Sequence, residues 1–142
     1  MGSVQAVKYL LDTHVLDWAQ TDASRLSPRV HAILQEAGVG DLAVSDVSIS
    51  ELARYLASGK IRPAVPPETW LEAAVTDITV LPVTPAIALQ AALLDWTVAG
   101  KPHRDPCDRH IVATAAGYKL PLLTIDDRIH RLVGVRGLKV VW

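Results

Sequence analysis

Apolar residues in this chain gather in short stretches, separated by longer ones in which they recur every three or four positions. The runs VKYLL, DLAVSDVS, ITVLPVT, KLPLLTI and LKVVW predict strands, and the stretches between them predict helices. In LSPRVHAILQEAG, Ser27 suits a cap, Pro28 the first helical position and Gly38 the end. A short helical stretch behind VKYLLD, then SELARYLASG stopped by Gly59, PPETWLEAAV, PAIALQAALLDW, PCDRHIVATAAG and DDRIHRLVG, complete the helices, and GKPHRDP reads as a loop. The order is strand then helix throughout. Because the strand runs are continuous rather than alternating, they predict strands covered on both faces. That is an α/β fold, with a mostly parallel central sheet of about four to five strands flanked by helices on both faces. Neither an internal repeat nor a dividing linker is visible, so residues 1–142 read as one domain, with residues 1–6 expected to be a disordered or cloning-derived start.

Composition narrows this only a little. A chain of 142 residues can bury roughly two thirds of the surface its unfolded form exposes. With 50% hydrophobic residues, 5% aromatics and no Phe, its core must come from Leu, Val, Ile and Ala. Cys107 is the single cysteine and excludes an internal disulfide; no signal-like start or long apolar span is present, which predicts a soluble cytoplasmic protein with no membrane role. A net charge of −1 decides nothing about nucleic acid, because a neutral total can hide opposed local patches. Phosphate-cradling glycine loops and a nucleophile elbow are missing, and the five histidines have no zinc-like spacing.

In open α/β sheets ligands bind beyond the carboxyl ends of the strands. Four acids are expected at or just past such ends: Asp12 behind KYLL, Glu51 behind DLAVSDVS, Asp108 at the head of PCDRHIVATAAG, and Asp126 behind PLLT. Each has an ordinary explanation. Asp12 and Asp126 fit helix caps, Glu51 fits a pair with Arg54, and Asp105 before Pro106 is a cap with Asp108 three residues on. Asp105 is assigned mainly to capping and Asp108 mainly to metal. Four caps at four strand ends are a poor joint explanation, since carboxylates crowded together repel unless protons or cations intervene. Mg²⁺ or Mn²⁺, which take oxygen ligands, are the natural cations, and two of them about 4 Å apart suit hydrolysis of a phosphodiester.

The ordered set LLDTHVLDW, SISELARYLASGKI, HRDPCDRHIVATA and LPLLTIDDRI resembles the PIN-domain proteins, and among them the VapC-type toxins of toxin–antitoxin modules, from about residue 7 to residue 142. The resemblance implies a ribonuclease dependent on one or two Mg²⁺ or Mn²⁺ ions, with Asp12, Glu51, Asp108 and Asp126 as catalytic metal ligands and Asp105 added by the HRDPxDR pattern. It implies cleavage that leaves a 5′ phosphate, a cognate VapB-like antitoxin and a homodimer. Thr124 matches a family threonine whose hydroxyl orients a carboxylate or a water; a strand-end Thr bonded to backbone explains it equally. Cys107 stands where the subfamily often has Phe, and among acids it reads as a packed residue rather than a nucleophile.

Arg54, Arg104, Arg109 and Arg128 lie around the acidic motifs and are candidate RNA contacts, with salt bridging as the alternative for Arg54 and Arg109. Trp18 is placed near the mouth of the site, and His14 and His103 near it without an assigned role. A rival reading keeps the fold but makes it a non-catalytic module that binds RNA or a protein, its acids serving only as caps and ion pairs.

Overall fold

The structure, a computed structural model, describes residues 6–142; the expectation of a disordered or added start, made for residues 1–6, falls outside the described residues except at Ala6. Five strands form one sheet: β1 (Tyr9–Leu11), β2 (Leu42–Ser45), β3 (Thr79–Leu81), β6 (Leu122–Leu123) and β7 (Val140–Val141). Their spatial order is β3-β2-β1-β6-β7 and every pairing is parallel. A separate antiparallel hairpin is made by β4 (Thr97–Val98) and β5 (Lys101–Pro102).

Neighbouring side chains of β1 explain the unbroken apolar run. Leu10 packs with Ala43, Leu81 and Leu122 beneath helix α6 (Pro106–Tyr118) and the single turn α7 (Asp127–His130). Leu11 packs with Val44, Leu123 and Val141 on the opposite face, beneath α1 (Thr13–Thr21), α2 (Pro28–Glu36), α3 (Asp46–Ser58) and α4 (Pro67–Ala74). Both leucines are essentially inaccessible, as period-two alternation requires of a strand buried on two sides. Helix α5 (Pro85–Leu93) lies on α6 rather than on the sheet, through Ile87, Ala91 and Ala113. Among the described residues no helix is long and apolar enough to cross a membrane.

Three helices start on the same signal. Ser27, Thr84 and Asp105 each accept a backbone amide as caps, and each is followed by Pro28, Pro85 or Pro106 in the first turn. Ser45 likewise caps α3, which is why the expected strand DLAVSDVS stops at Ser45 and its last residues are helical. The simple strand–helix alternation also gives way, because paired helices α1 with α2 and α3 with α4 connect the first three strands. GKPHRDP is not all loop, since its Lys-Pro closes the hairpin, and DDRIHRLVG yields only the one turn of α7.

Candidate active site

Along the chain the strands proceed from β1 outward to β2 and β3, and then return to the other flank of β1 as β6 and β7. The order reverses between β1 and β6, and there two diverging connections leave a crevice at the carboxyl edge. Asp12 follows β1 and Thr124 follows β6, so both stand at this reversal.

The Asp12 amide donates to the Leu123 carbonyl at 3.0 Å, which fixes its backbone on the neighbouring strand. Asp12 as a whole residue is 4% exposed. Oδ1 accepts the Thr13 amide at 2.7 Å and Oδ2 accepts the Thr124 hydroxyl at 2.6 Å. The same Thr124 oxygen accepts the Asp126 amide at 3.0 Å, so one threonine sets the spacing between two acids. Burial nevertheless pushes the Asp12 carboxyl up to about 6; the Thr124 bond and His14 oppose this, and the charge of Asp108 adds to it.

Asp108 lies in the first turn of α6, and its Oδ2 pairs with His103 Nε2 at 2.8 Å and Arg128 Nη2 at 3.5 Å. His103 is carried by the end of the hairpin, its ring 4.3 Å from that of Trp96. Burial raises the Asp108 carboxyl, His103 pulls it back, and Asp105 and Asp126 raise it again. Burial acts upward on Asp126 too, but there the Arg128 guanidinium wins, with hydrogen bonds of 3.0 and 2.7 Å to the two carboxylate oxygens, and holds that carboxyl below its usual range.

Glu51 departs from the expectation. It is six residues past the end of β2, in the second turn of α3, buried, with Arg54 Nη2 at 3.7 Å. Arg54 also reaches Cys107 Sγ at 3.6 Å, so α3 brings Glu51 up to the head of α6. Burial, and then the charges of Glu51 and Asp105, push the Cys107 thiol up, against any thiolate role. Asp105 is exposed, and its Oδ1 caps α6 through the amides of Cys107 and Asp108.

Arg109, a candidate RNA contact, is instead occupied by backbone carbonyls. Its guanidinium donates to the carbonyls of Ala91 at 2.7 Å, His103 at 2.6 Å and Ala92 at 3.3 Å, and also to that of Leu94. Arg104 is exposed at a different hollow, beside Trp96 and Pro102. Sequence reasoning missed Ser48, whose hydroxyl accepts that of Thr13 at 2.9 Å beneath Asp12. It also missed Arg25, Lys60 and Arg62, which line a cleft of about 540 Å³ opening over Asp12 and Asp126. The basic pair just past Gly59 in SGKIRP was the available signal.

Among the described residues no three His, Cys, Asp or Glu side chains stand close enough to enclose an ion as they are oriented, each carboxylate being turned to a protein donor. The chemistry of the set still fits a hard divalent cation. Its donors are oxygens, and Asp12 and Asp108 are raised by burial and by neighbouring carboxylates, a strain that a cation relieves.

Comparison with known proteins gives a consistent picture. Residues 9–135 match the sequence model of the PIN domain. The chain is 33% identical over 120 residues to Ribonuclease VapC22 of Mycobacterium tuberculosis (strain ATCC 25618 / H37Rv), spanning 84% of this chain and 88% of that protein. The crystal structure of VapBC-5 from Mycobacterium tuberculosis, a member of the VapBC family of toxin–antitoxin systems, superposes with a TM-score of 0.61 at 26% identity, covering 95% of this chain and 98% of that one. DNA-bound VapBC from Salmonella typhimurium shares the fold with a TM-score of 0.69 at 19% identity, covering 94% and 98%.

Proposed function

This chain belongs to the PIN domain family, and from that premise we propose that it is a metal-dependent endoribonuclease, the toxin of a toxin–antitoxin pair. The observation that carries the reading is the meeting of Asp12, Asp108 and Asp126 at the sheet's reversal point, two of them under mutual charge strain. Asp12, Glu51, Asp108 and Asp126 would hold one or two Mg²⁺ or Mn²⁺ ions, with Asp105 at the rim. Bound there, a divalent cation supplies Lewis acidity that lowers the pKa of water and offsets charge building on phosphate oxygens.

The chain's own groups do the positioning. Thr124 holds Asp12 and the Asp126 backbone in register, and Thr13 with Ser48 backs the first turn of α1. His103 keeps Asp108 oriented toward the crevice. Arg128 neutralises Asp108 and Asp126 in the metal-free protein and must release them for a cation to enter. The partners that accompany this reading are RNA, a VapB-like antitoxin and a second copy of the chain, acting in the cytoplasm; the likeness to VapBC assemblies supports the antitoxin.

Cleavage of a mixed RNA pool with Mn²⁺, with chelator and with Asp12→Asn and Asp108→Asn tests it. The wild type should cut only with metal, and each variant should lose at least about a hundredfold in rate, as removal of a group central to charge stabilisation does. One observation favours the non-catalytic alternative: each of these carboxylates already has a protein partner. A binding module would hold RNA equally in chelator and would never cut it.

A further inference from the structure

We propose that the cleft running away from Asp12 and Asp126 is the track for the RNA strand beside the bond that is cut, with Arg25, Lys60 and Arg62 holding its phosphates; the proposal rests on the ribonuclease reading. The cleft starts at the two carboxylates and extends between α1, with the turn Ala23–Arg25 behind it, and the segment that follows α3. Its lining carries both signs, Asp12, Asp17 and Asp126 with Arg25, Lys60 and Arg62.

These three cations differ from the arginines close to the acidic residues in their pairing. Among the described residues, Arg54, Arg128 and Arg131 each have a carboxylate within reach, at 3.7, 2.7 and 2.8 Å. None of the ion pairs among the described residues involves Arg25, Lys60 or Arg62. Aromatic faces and backbone position them instead. The Arg25 guanidinium lies 4.1 Å from the Trp18 ring centre, Lys60 Nζ lies 3.9 Å from that of Tyr55, and Arg62 Nε donates to the Gly59 carbonyl at 3.1 Å. A π face orients a cation without cancelling its charge, so the positive field in the cleft stays available to an anion. The acid in the wall, Asp17, is buried and its Oδ1 accepts the Thr21 hydroxyl at 3.0 Å.

A polyanion entering here meets three cations without an ion pair and, in the same cleft, the carboxylates of Asp12 and Asp126, where a cation is needed before a phosphate can approach. Trp70 and His14 in the same walls add flat rings of the kind single-stranded nucleic acid uses. Continuity with the reaction centre favours RNA over an acidic protein segment as the occupant. Arg54, Arg109 and Arg128 are committed to protein partners and Arg104 faces a different hollow, so the substrate grip comes from residues that precede α2 and follow α3.

The test compares three proteins in the Asp12→Asn background, so that RNA survives the measurement: the parent, Arg25→Ala/Lys60→Ala/Arg62→Ala, and a control that removes equal charge elsewhere, Arg29→Ala/Arg136→Ala/Lys139→Ala. All six substituted side chains are exposed, and thermal melting verifies that each protein is folded. Binding of a fluorescent single-stranded RNA is followed by anisotropy from low to physiological salt. The track variant should bind roughly tenfold or more weakly, with a salt slope shallower by about 2, as loss of three phosphate contacts implies, while the control matches the parent. Equal binding and slope in track variant and parent would overturn the proposal and leave the cleft to a protein segment; equal losses in both triple variants would overturn it as mere net charge. The same triples with Asp12 intact separate the two readings. RNA cut equally well by the track variant sinks the track and spares the nuclease, whereas track-dependent binding with no cutting by the wild type does the reverse.

Discussion

Asp12 accepts hydrogen bonds from the Thr13 amide and the Thr124 hydroxyl, yet burial still pushes its carboxyl up to about 6, so the folded metal-free protein binds a proton there more tightly than the unfolded chain does. Between the unfolded value of 3.8 and about 6 the native state therefore carries the extra proton, and stability falls as pH rises through that window. A shift of about two units corresponds to a loss on the order of 3 kcal/mol. Asp12→Asn should abolish this slope and, in chelator at pH 7, raise the melting temperature by several degrees, while ending RNA cleavage. Unfolding curves at several pH values decide it; a variant that melts lower at pH 7 with the slope intact would show that the hydrogen bonds outweigh the charge. Asp12 was legible in the sequence because an ionisable residue directly behind an apolar strand has few places to go. Lys60 and Arg62 were not, since a basic residue after a helix-stopping glycine looks like any solvated loop until α1 is seen across from it.

Arg109 matters at the scale of elements. One guanidinium ties the end of α5, the chain leading to the hairpin, and the residue after it, His103, onto α6. Arg109→Ala should cost about 3 kcal/mol, measured by denaturant unfolding, because several carbonyls lose a charged donor together. Arg109→Lys should recover little of it, an ammonium being unable to reproduce the planar fork. The helices were readable in advance because a capping residue and a proline recur at Ser27-Pro28, Thr84-Pro85 and Asp105-Pro106. The hairpin was hidden: its strands are two residues long, one holds Pro102, and its turn places Ala99 at φ 51° and Gly100 at φ 78°, where Asn-Gly would have been the readable pair. The length of β2 was misread for a related reason. Val47 and Ile49 alternate with polar residues past Ala43 and Val44 as a strand would, but Ser45 caps a helix at the sheet edge and takes Glu51 with it.

For the molecule as a whole, the balance of charge at the sheet edge is the controlling quantity. Arg128 stands over Asp126 and Asp108 as a resident cation, its own pKa raised chiefly by the bonds to Asp126. Arg128→Ala should tighten Mn²⁺ binding severalfold in calorimetry, since the incoming ion no longer competes with a guanidinium, and should slightly lower the melting temperature in chelator. Weaker Mn²⁺ binding would mean that Arg128 organises the acids instead of shielding them. The parallel sheet was foreseeable from its two-sided apolar strands, and its centre at β1 was not, because strand order is set by crossovers that leave no local mark.

The bond from Thr124 to Asp12 joins residues 112 positions apart, and β6 must slide in beside β1 before it can form. A chain emerging from a ribosome exposes β1, α1 and α3 early and has nothing to close them with until Thr124 and Asp126 have cleared the exit tunnel. On the proposed reading, a cutting centre that needs Asp12 and Thr124 side by side cannot form until the chain has been made well past Thr124. Stalled nascent chains ending at Pro121 should leave nearby RNA whole, and chains extended far enough to free Val141 should not; cutting by the shorter chains would show that β6 is dispensable.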